Sequence, residues 1–375
     1  MIHPGVIPTI PAIDPNPLPA PYWVFKLLLL VTFYLHILAM NLMLGGAVLA
    51  LLARLTSSRH PMRSRIFLDV AKKIPTLLAA TITLGIAPLL FVQVIYGQYF
   101  YTSTILMAWP WFLVLVLLIA AYYGFYFVAH NGKRRPGAAG VVLFLSLALV
   151  LLIGFIYTNN FTLMQTPARW AARYFADPSG WNLNLADPTL IPRYLHFITA
   201  AVAVGGLLLV LLALARWKHD PEYAAYIFRF GGKTFEYATM AQFLIGLWFL
   251  ISLPRDLRML FMGDNPIATA MFGVGVLGSL AAIFLMSEAL RRQNIRMGAF
   301  GVTGVTAAVI LCMSIMRDNL RDAYLKPYFH PSQFAVKTQW AVFPLFLGIF
   351  IGGVILWLVM LRRYGLFTST RPTEE

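Results

Sequence analysis

Two histidines stand in matching frames. Tyr34-Leu35-His36 is followed nine residues after the histidine by Gly45-Gly46, and Tyr194-Leu195-His196 is followed at the same spacing by Gly205-Gly206. Each frame opens a long apolar segment, where an imidazole is costly and marks a functional position. A neutral imidazole nitrogen ligates iron, and a helix bundle holds a haem by presenting His, or His with Met, from facing helices to one cavity. Met271 suits that role beside His196. Both lie a few residues inside the same end of their segments, and the segments run in the same direction. In Met271-Phe272-Gly273-Val274-Gly275, followed by Gly278, small residues leave room for a flat macrocycle. By the repeat alone, Met107 is the counterpart of Met271 for His36. The metal-ligating candidates are thus His196, Met271 and His36. A plainer alternative stays open: histidines packed and hydrogen-bonded in a core, and methionines as ordinary apolar filling. Asp318 and Arg321, with Arg317, are read either as an ion pair beside a haem propionate or as a surface cluster. Glu288 is expected at a membrane interface with Arg291. His60, His130 and His219 fall at inner segment ends, and His3 and His330 fall outside, where solvation accounts for them.

The elements that must position these residues are membrane spans. Of 375 residues, 60% are apolar and only 11% charged, and mean hydropathy is +0.75. This composition is that of an all-α polytopic membrane protein and excludes a soluble domain. Nine stretches are long enough to cross a bilayer: about 23–54, 74–97, 104–130, 137–157, 194–217, 235–254, 267–290, 298–316 and 340–361. The net charge of +15 is concentrated in short loops after spans one, three, five and seven, so it reads as topology and not as nucleic-acid binding. Every such loop favours the same side. The N-terminus is therefore expected outside and the C-terminus in the cytoplasm of a bacterial or archaeal membrane. The single Cys312 excludes an internal disulfide. No basic region precedes an apolar run at the start, so the proline-rich stretch is not read as a signal peptide.

The repeat extends past the histidines. Lys72 precedes Gly85 by thirteen residues, as Lys233 precedes Gly246. Asn159-Asn160 with Pro167 parallels Asp318-Asn319 with Pro327. Eight spans then form two parallel four-helix repeats, with a ninth helix appended. The expected division is an arm at 1–22, a first unit at 23–158, an outer connection at 159–193 and a second unit at 194–317. An outer loop at 318–339, the ninth helix at 340–362 and a cytoplasmic tail at 363–375 complete it.

With these residues in place, the chain resembles the large subunit (subunit I) of cytochrome bd oxidases over most of spans one to eight. His196 through Gly205 resembles the segment bearing the family's low-spin haem histidine, and Met271 with Gly273 and Gly275 the segment bearing its methionine ligand. His36 with Leu44-Gly45 resembles the first-span histidine of the high-spin pair. Leu84-Gly85 through Gly97 resembles the second span. Asn159-Asn160 through Met164-Gln165-Thr166-Pro167 resembles the Asn-Gly-Trp-Met-Gln-x-Pro motif with two residues inserted. The departures bear on chemistry. Thr104 and Phe112 stand where the family places carboxylates, around a matching Leu106-Met107-Ala108. Asp318-x-x-Arg321 stands for Glu-x-x-Arg, and Thr269 for an arginine. The long quinol-binding loop between spans six and seven is reduced to a few residues around Arg255, Asp256, Arg258 and Asp264.

The resemblance implies one to three b-type haems with their iron, the low-spin His/Met haem foremost. It implies a bilayer-embedded electron-transfer subunit whose partners are a second membrane subunit and a periplasmic c-type cytochrome or haem subunit. The alternatives are a divergent terminal oxidase reducing oxygen at a His36-ligated haem and a haem-free, quinone-binding anchor. A transporter is a further alternative, opposed by the lack of paired midplane carboxylates and of an expected broken helix.

Overall fold

The computed structural model describes residues 10–12, 14 and 16–364, with backbone alone at 361–364. The expectations for half of the N-terminal arm and for the tail beyond 364 lie outside the described residues. Among the described residues, nine helices are long and apolar enough to cross a membrane. The long helices are α1 (Tyr22–Leu55), α3 (Ile74–Leu106), α4 (Ala108–Asn131), α5 (Pro136–Met164), α7 (Leu190–Arg216), α8 (Pro221–Ser252), α10 (Pro266–Arg291), α11 (Thr303–Leu325) and α12 (Val342–Tyr364). Short helices α2 (Pro61–Ala71), α6 (Trp170–Ala176) and α9 (Arg255–Met259) lie in the connections. Local chemistry sets many of the ends. Proline occupies the first position of α2, α5, α8 and α10, where its missing N–H costs nothing. Asp220 and Asn265 cap α8 and α10 by accepting from Tyr223 N (3.2 Å) and Ala268 N (3.0 Å).

All nine expected spans are present, and several run past their apolar windows. α8 begins at Pro221 instead of near residue 235, and α11 continues to Leu325 instead of ending near 316. Hydropathy marks the bilayer core, whereas helical hydrogen bonding continues into the interface. One expectation is corrected: α3 is interrupted at Tyr96 (φ −121°, ψ 29°), so a span is broken after all. The visible arm is tied down. Leu18 N donates to Ala335 O (2.8 Å), and Lys337 N and Gln339 N return bonds to Leu18 O and Pro19 O (both 2.9 Å).

The glycine pairs of the two frames lie where α1 crosses α7. A Cβ on Gly205 would lie 2.5 Å from the Gly45 carbonyl carbon, and one on Gly45 would collide with the Ala201 carbonyl oxygen. On the next face, Gly206 meets Gly231 of α8, where a Cβ would come within 2.5 Å of the Gly231 oxygen. Backbone contact at this range admits no side chain and brings three helices together by close packing, the principal association force in lipid. The largest buried apolar cluster gathers here, from Met43 and Ala47 to Leu207–Val210 and Phe235.

Candidate functional site

On the side of this crossing towards the N-terminal end of α7, α1, α7, α8, α10 and α11 part around a cavity of about 540 Å³. That is within the range of about 300–1,000 Å³ typical of small-molecule and cofactor sites. His196 lines it from α7, two turns before the crossing glycines. Its ring is buried, and neither Nδ1 nor Nε2 has a hydrogen-bond partner. A buried imidazole without partners is disfavoured unless something else takes its nitrogen. The ring is held from behind: a Cβ on Gly246 of α8 would lie 3.2 Å from its Cε1, and the Phe249 ring is centred 6.3 Å away. Gln242 Nε2 donates to the His196 backbone oxygen (2.8 Å), fixing α8 against the histidine-bearing turn.

The cavity's charge is one-sided. Arg193 lies one turn before His196 and donates from Nη1 to Gln165 Oε1 (2.9 Å), while its Nε and Nη2 are buried without partners. Arg317 of α11 lines the same cavity. Its guanidinium lies over Phe33 (4.1 Å) and Phe161 (4.7 Å), and among the described residues no carboxylate pairs with it. Two guanidiniums facing an apolar chamber without a counter-ion make a receptor for a carboxylate-bearing ligand. Phe197, Leu250, Phe272 and Ile310 supply apolar wall. At Gly275 of α10 an added Cβ would meet nothing within 4 Å, so the glycine opens onto free space. The donor set fits a haem: an imidazole for iron, flat apolar walls, and cations for two propionates.

The other candidates are placed as follows. Met271 is half-buried, one turn outward of Gly275, at the edge of the α10 stripe that lines the cavity. The methionines within the lining itself are Met313 and Met316 of α11. His36 faces α3 and does not line the cavity, although its neighbours Phe33 and Ile37 do. Its Nδ1 donates to the Thr81 carbonyl (3.0 Å), which leaves the Nε2 lone pair for a ligand. A Cβ on Gly85 would lie 2.9 Å from that ring, so each histidine is backed by the glycine thirteen residues after its lysine. Met107 is fully buried at the break between α3 and α4, about 30 Å of helical rise from Gly85. The structure does not bring it to His36; the repeat preserved sequence position but not depth. Asp318 and Arg321 pair with each other, as expected. They belong to a separate outer cluster, where Lys26 reaches Asp318 (2.6 Å) and Asp322 (2.7 Å) and donates to Tyr96 Oη (3.0 Å). Glu288 pairs with Arg291 and Arg292 at the inner end of α10.

Sequence reasoning missed Arg193 and Gln165 as a pair, and Glu236. The signal for Arg193 was its position three residues before His196, on the same helical face.

No protein-family model and no curated protein matches the chain. Among solved structures, the bd oxidase from Geobacillus thermodenitrificans is similar, with a TM-score of 0.65 at 12% identity over 91% of this chain and 98% of that chain. The two share one fold. At this identity the likeness extends to the path of the backbone, and the chemistry of the site rests on the residues described above.

Proposed function

We propose that the chain is a haem-carrying, electron-transferring membrane subunit that binds one b-type haem in the His196 cavity. The observation that carries this reading is the conjunction in one chamber of an unpartnered buried imidazole and two arginines without counter-ions. His196 and Met271 would hold the iron. Arg193, oriented by Gln165, and Arg317 would hold the propionates. The haem supplies a one-electron couple when bound. The chain's own part is to fix the imidazole with Gly246 and Gln242, exclude water with the Phe197–Leu250–Phe272 wall, and neutralise the carboxylates. The cations mark the end that the basic-loop pattern puts outside, which favours exchange with a periplasmic c-type cytochrome or another haem subunit. The exposed faces of α4 and α12 are available to lipid and to a second membrane subunit.

The test is an optical spectrum of the purified chain. Soret and alpha bands are expected in the wild type and lost in His196→Leu; a wild-type chain without them overturns the reading in favour of a haem-free anchor. A second reading, oxygen chemistry at a haem on His36, is favoured by the free Nε2 that the Thr81 bond leaves. It predicts a carbon monoxide difference spectrum that disappears in His36→Leu.

A further inference from the structure

The His196 cavity is longer than the site just described requires. Along α8 it runs from Leu253 to Phe235, about 27 Å of helical rise, close to the thickness of a hydrocarbon core of about 30 Å. Its outer part is apolar and cationic. Deeper in, the lining gains Thr239, Ser279, Asn41 and Thr306, and both Asn41 Oδ1 and Thr306 Oγ1 are buried without a partner. Nearer the histidine, Gln242 Oε1 is also unpartnered. Unpaired polar atoms around a roomy space are the setting that holds ordered water.

A buried carboxylate stands at the inner end of this path. Glu236 follows Phe235 and precedes Thr239, both cavity-lining, and is 3% exposed. Its Oε1 accepts from Ser287 Oγ of α10, and its Oε2 pairs with Lys233 Nζ (2.8 Å). The Lys233 side chain is 58% exposed, so the carboxylate communicates with the surface on one side, while its helix neighbours Phe235 and Thr239 line the cavity on the other. The surrounding charges are few. Lys233 and the exposed Tyr237 belong to its own helix, and Glu288 on α10 is engaged with Arg291 and Arg292. The stretch of α7 packed alongside, residues 200–206, is entirely apolar. A buried carboxylate next in sequence to the lining of a polar cavity is the kind of group that serves in a proton relay.

We propose that Glu236 is a redox-linked protonation site, exchanging its proton with the face that bears the basic loops and balancing charge in the His196 cavity. This rests on the haem reading above. One electron passed from an external one-electron donor to a haem held there would lower the cavity's charge by one. One proton from water on the basic face binds a Glu236 oxygen and restores it, so only an O–H bond forms. Ser287 makes both states tolerable, because its hydroxyl donates to the carboxylate and accepts from the acid. The screened Lys233 ammonium, released from its pair, turns to solvent.

The experiment is a mediated electrochemical titration of the haem-loaded chain across pH, with infrared difference spectra. One proton per electron changes the reduction equilibrium tenfold per pH unit, which is a fall of about 59 mV in midpoint potential. That slope is expected in the wild type, flattened in Glu236→Gln and restored in Glu236→Asp. A protonated-carboxyl band that shifts in heavy water should vanish in Glu236→Gln. Ser287→Ala keeps the carboxylate and should move that band; should Glu236→Gln fail to fold, an unmoved band in Ser287→Ala overturns the proposal. An equal slope in wild type and Glu236→Gln, or a flat wild-type profile on a haem-loaded chain, also overturns it while leaving the haem reading intact. A chain that takes up no haem removes both.

Discussion

At the scale of single residues, the second axial position is the sharpest question. Met271 sits at the edge of the lining stripe, while Met313 lies within the cavity wall. Met271→Leu is expected to abolish the low-spin methionine signature in the near-infrared spectrum and Met313→Leu to leave it; the reverse result moves the ligand to α11. Arg317→Leu should lower the haem's midpoint potential, because losing a buried cation favours the more positive oxidised state; potentiometry on the variant checks the direction. The histidines were legible because a titratable group inside an apolar run stands out by type alone. Arg193 was not, since a basic residue near a span's end reads as an interfacial charge, and only its unpartnered guanidinium atoms separate it from one. Glu236 was hidden for a related reason. The apolar window opens near residue 235 and puts the carboxylate at the membrane's edge, whereas the helix begins fourteen residues earlier. Met107 was misjudged because repeat position was taken to give depth.

At the scale of elements, the crossing of α1 and α7 depends on the absence of two side chains. Gly45→Ala must push the helices apart, at a cost on the order of 1–3 kcal/mol or more for overpacking. A lower melting temperature of the purified chain in detergent is the expected readout. Gly246→Ala brings a methyl against the His196 ring and should shift the haem spectrum with little loss of stability, whereas Gly137→Ala, where a Cβ meets nothing within 4 Å, should change neither. The start of α8 responds to acid. The Arg65 guanidinium, and after it the Tyr223 N–H, hold the half-buried Asp220 carboxyl below the usual aspartate range. A depressed value means that the cap's stabilisation is present above the ordinary aspartate pKa of about 3.9 and is lost as pH falls through the lowered one. Asp220→Asn should therefore melt below the wild type near neutral pH, and the difference should narrow in acid. The helices were readable from the sequence because an apolar run of bilayer length has few alternatives. Their ends were less so, and the break at Tyr96 had only the adjacent Gly97 to announce it, a weak signal within so apolar a run.

At the scale of the whole molecule, the architecture of nine long helices among the described residues was legible in composition and spacing. The sidedness expected from the loop charges is open to direct measurement. On a Cys312→Ala background, Ser179→Cys should react with an impermeant maleimide on intact cells, and Ser58→Cys only after permeabilisation; both residues are exposed. The opposite pattern inverts the orientation. The meeting of Gly45 with Gly205 has a historical consequence. These residues hold the same place in their two frames, and contact between like positions is the mark of a two-fold axis between identical chains. A half-length ancestor would have found in a second copy of itself the neighbour that each half now finds within one polypeptide, with fusion arriving later as a convenience of expression. Cutting the chain between residues 178 and 188 and producing the pieces together should then yield a reassembled protein, recoverable as one complex through a tag on either half.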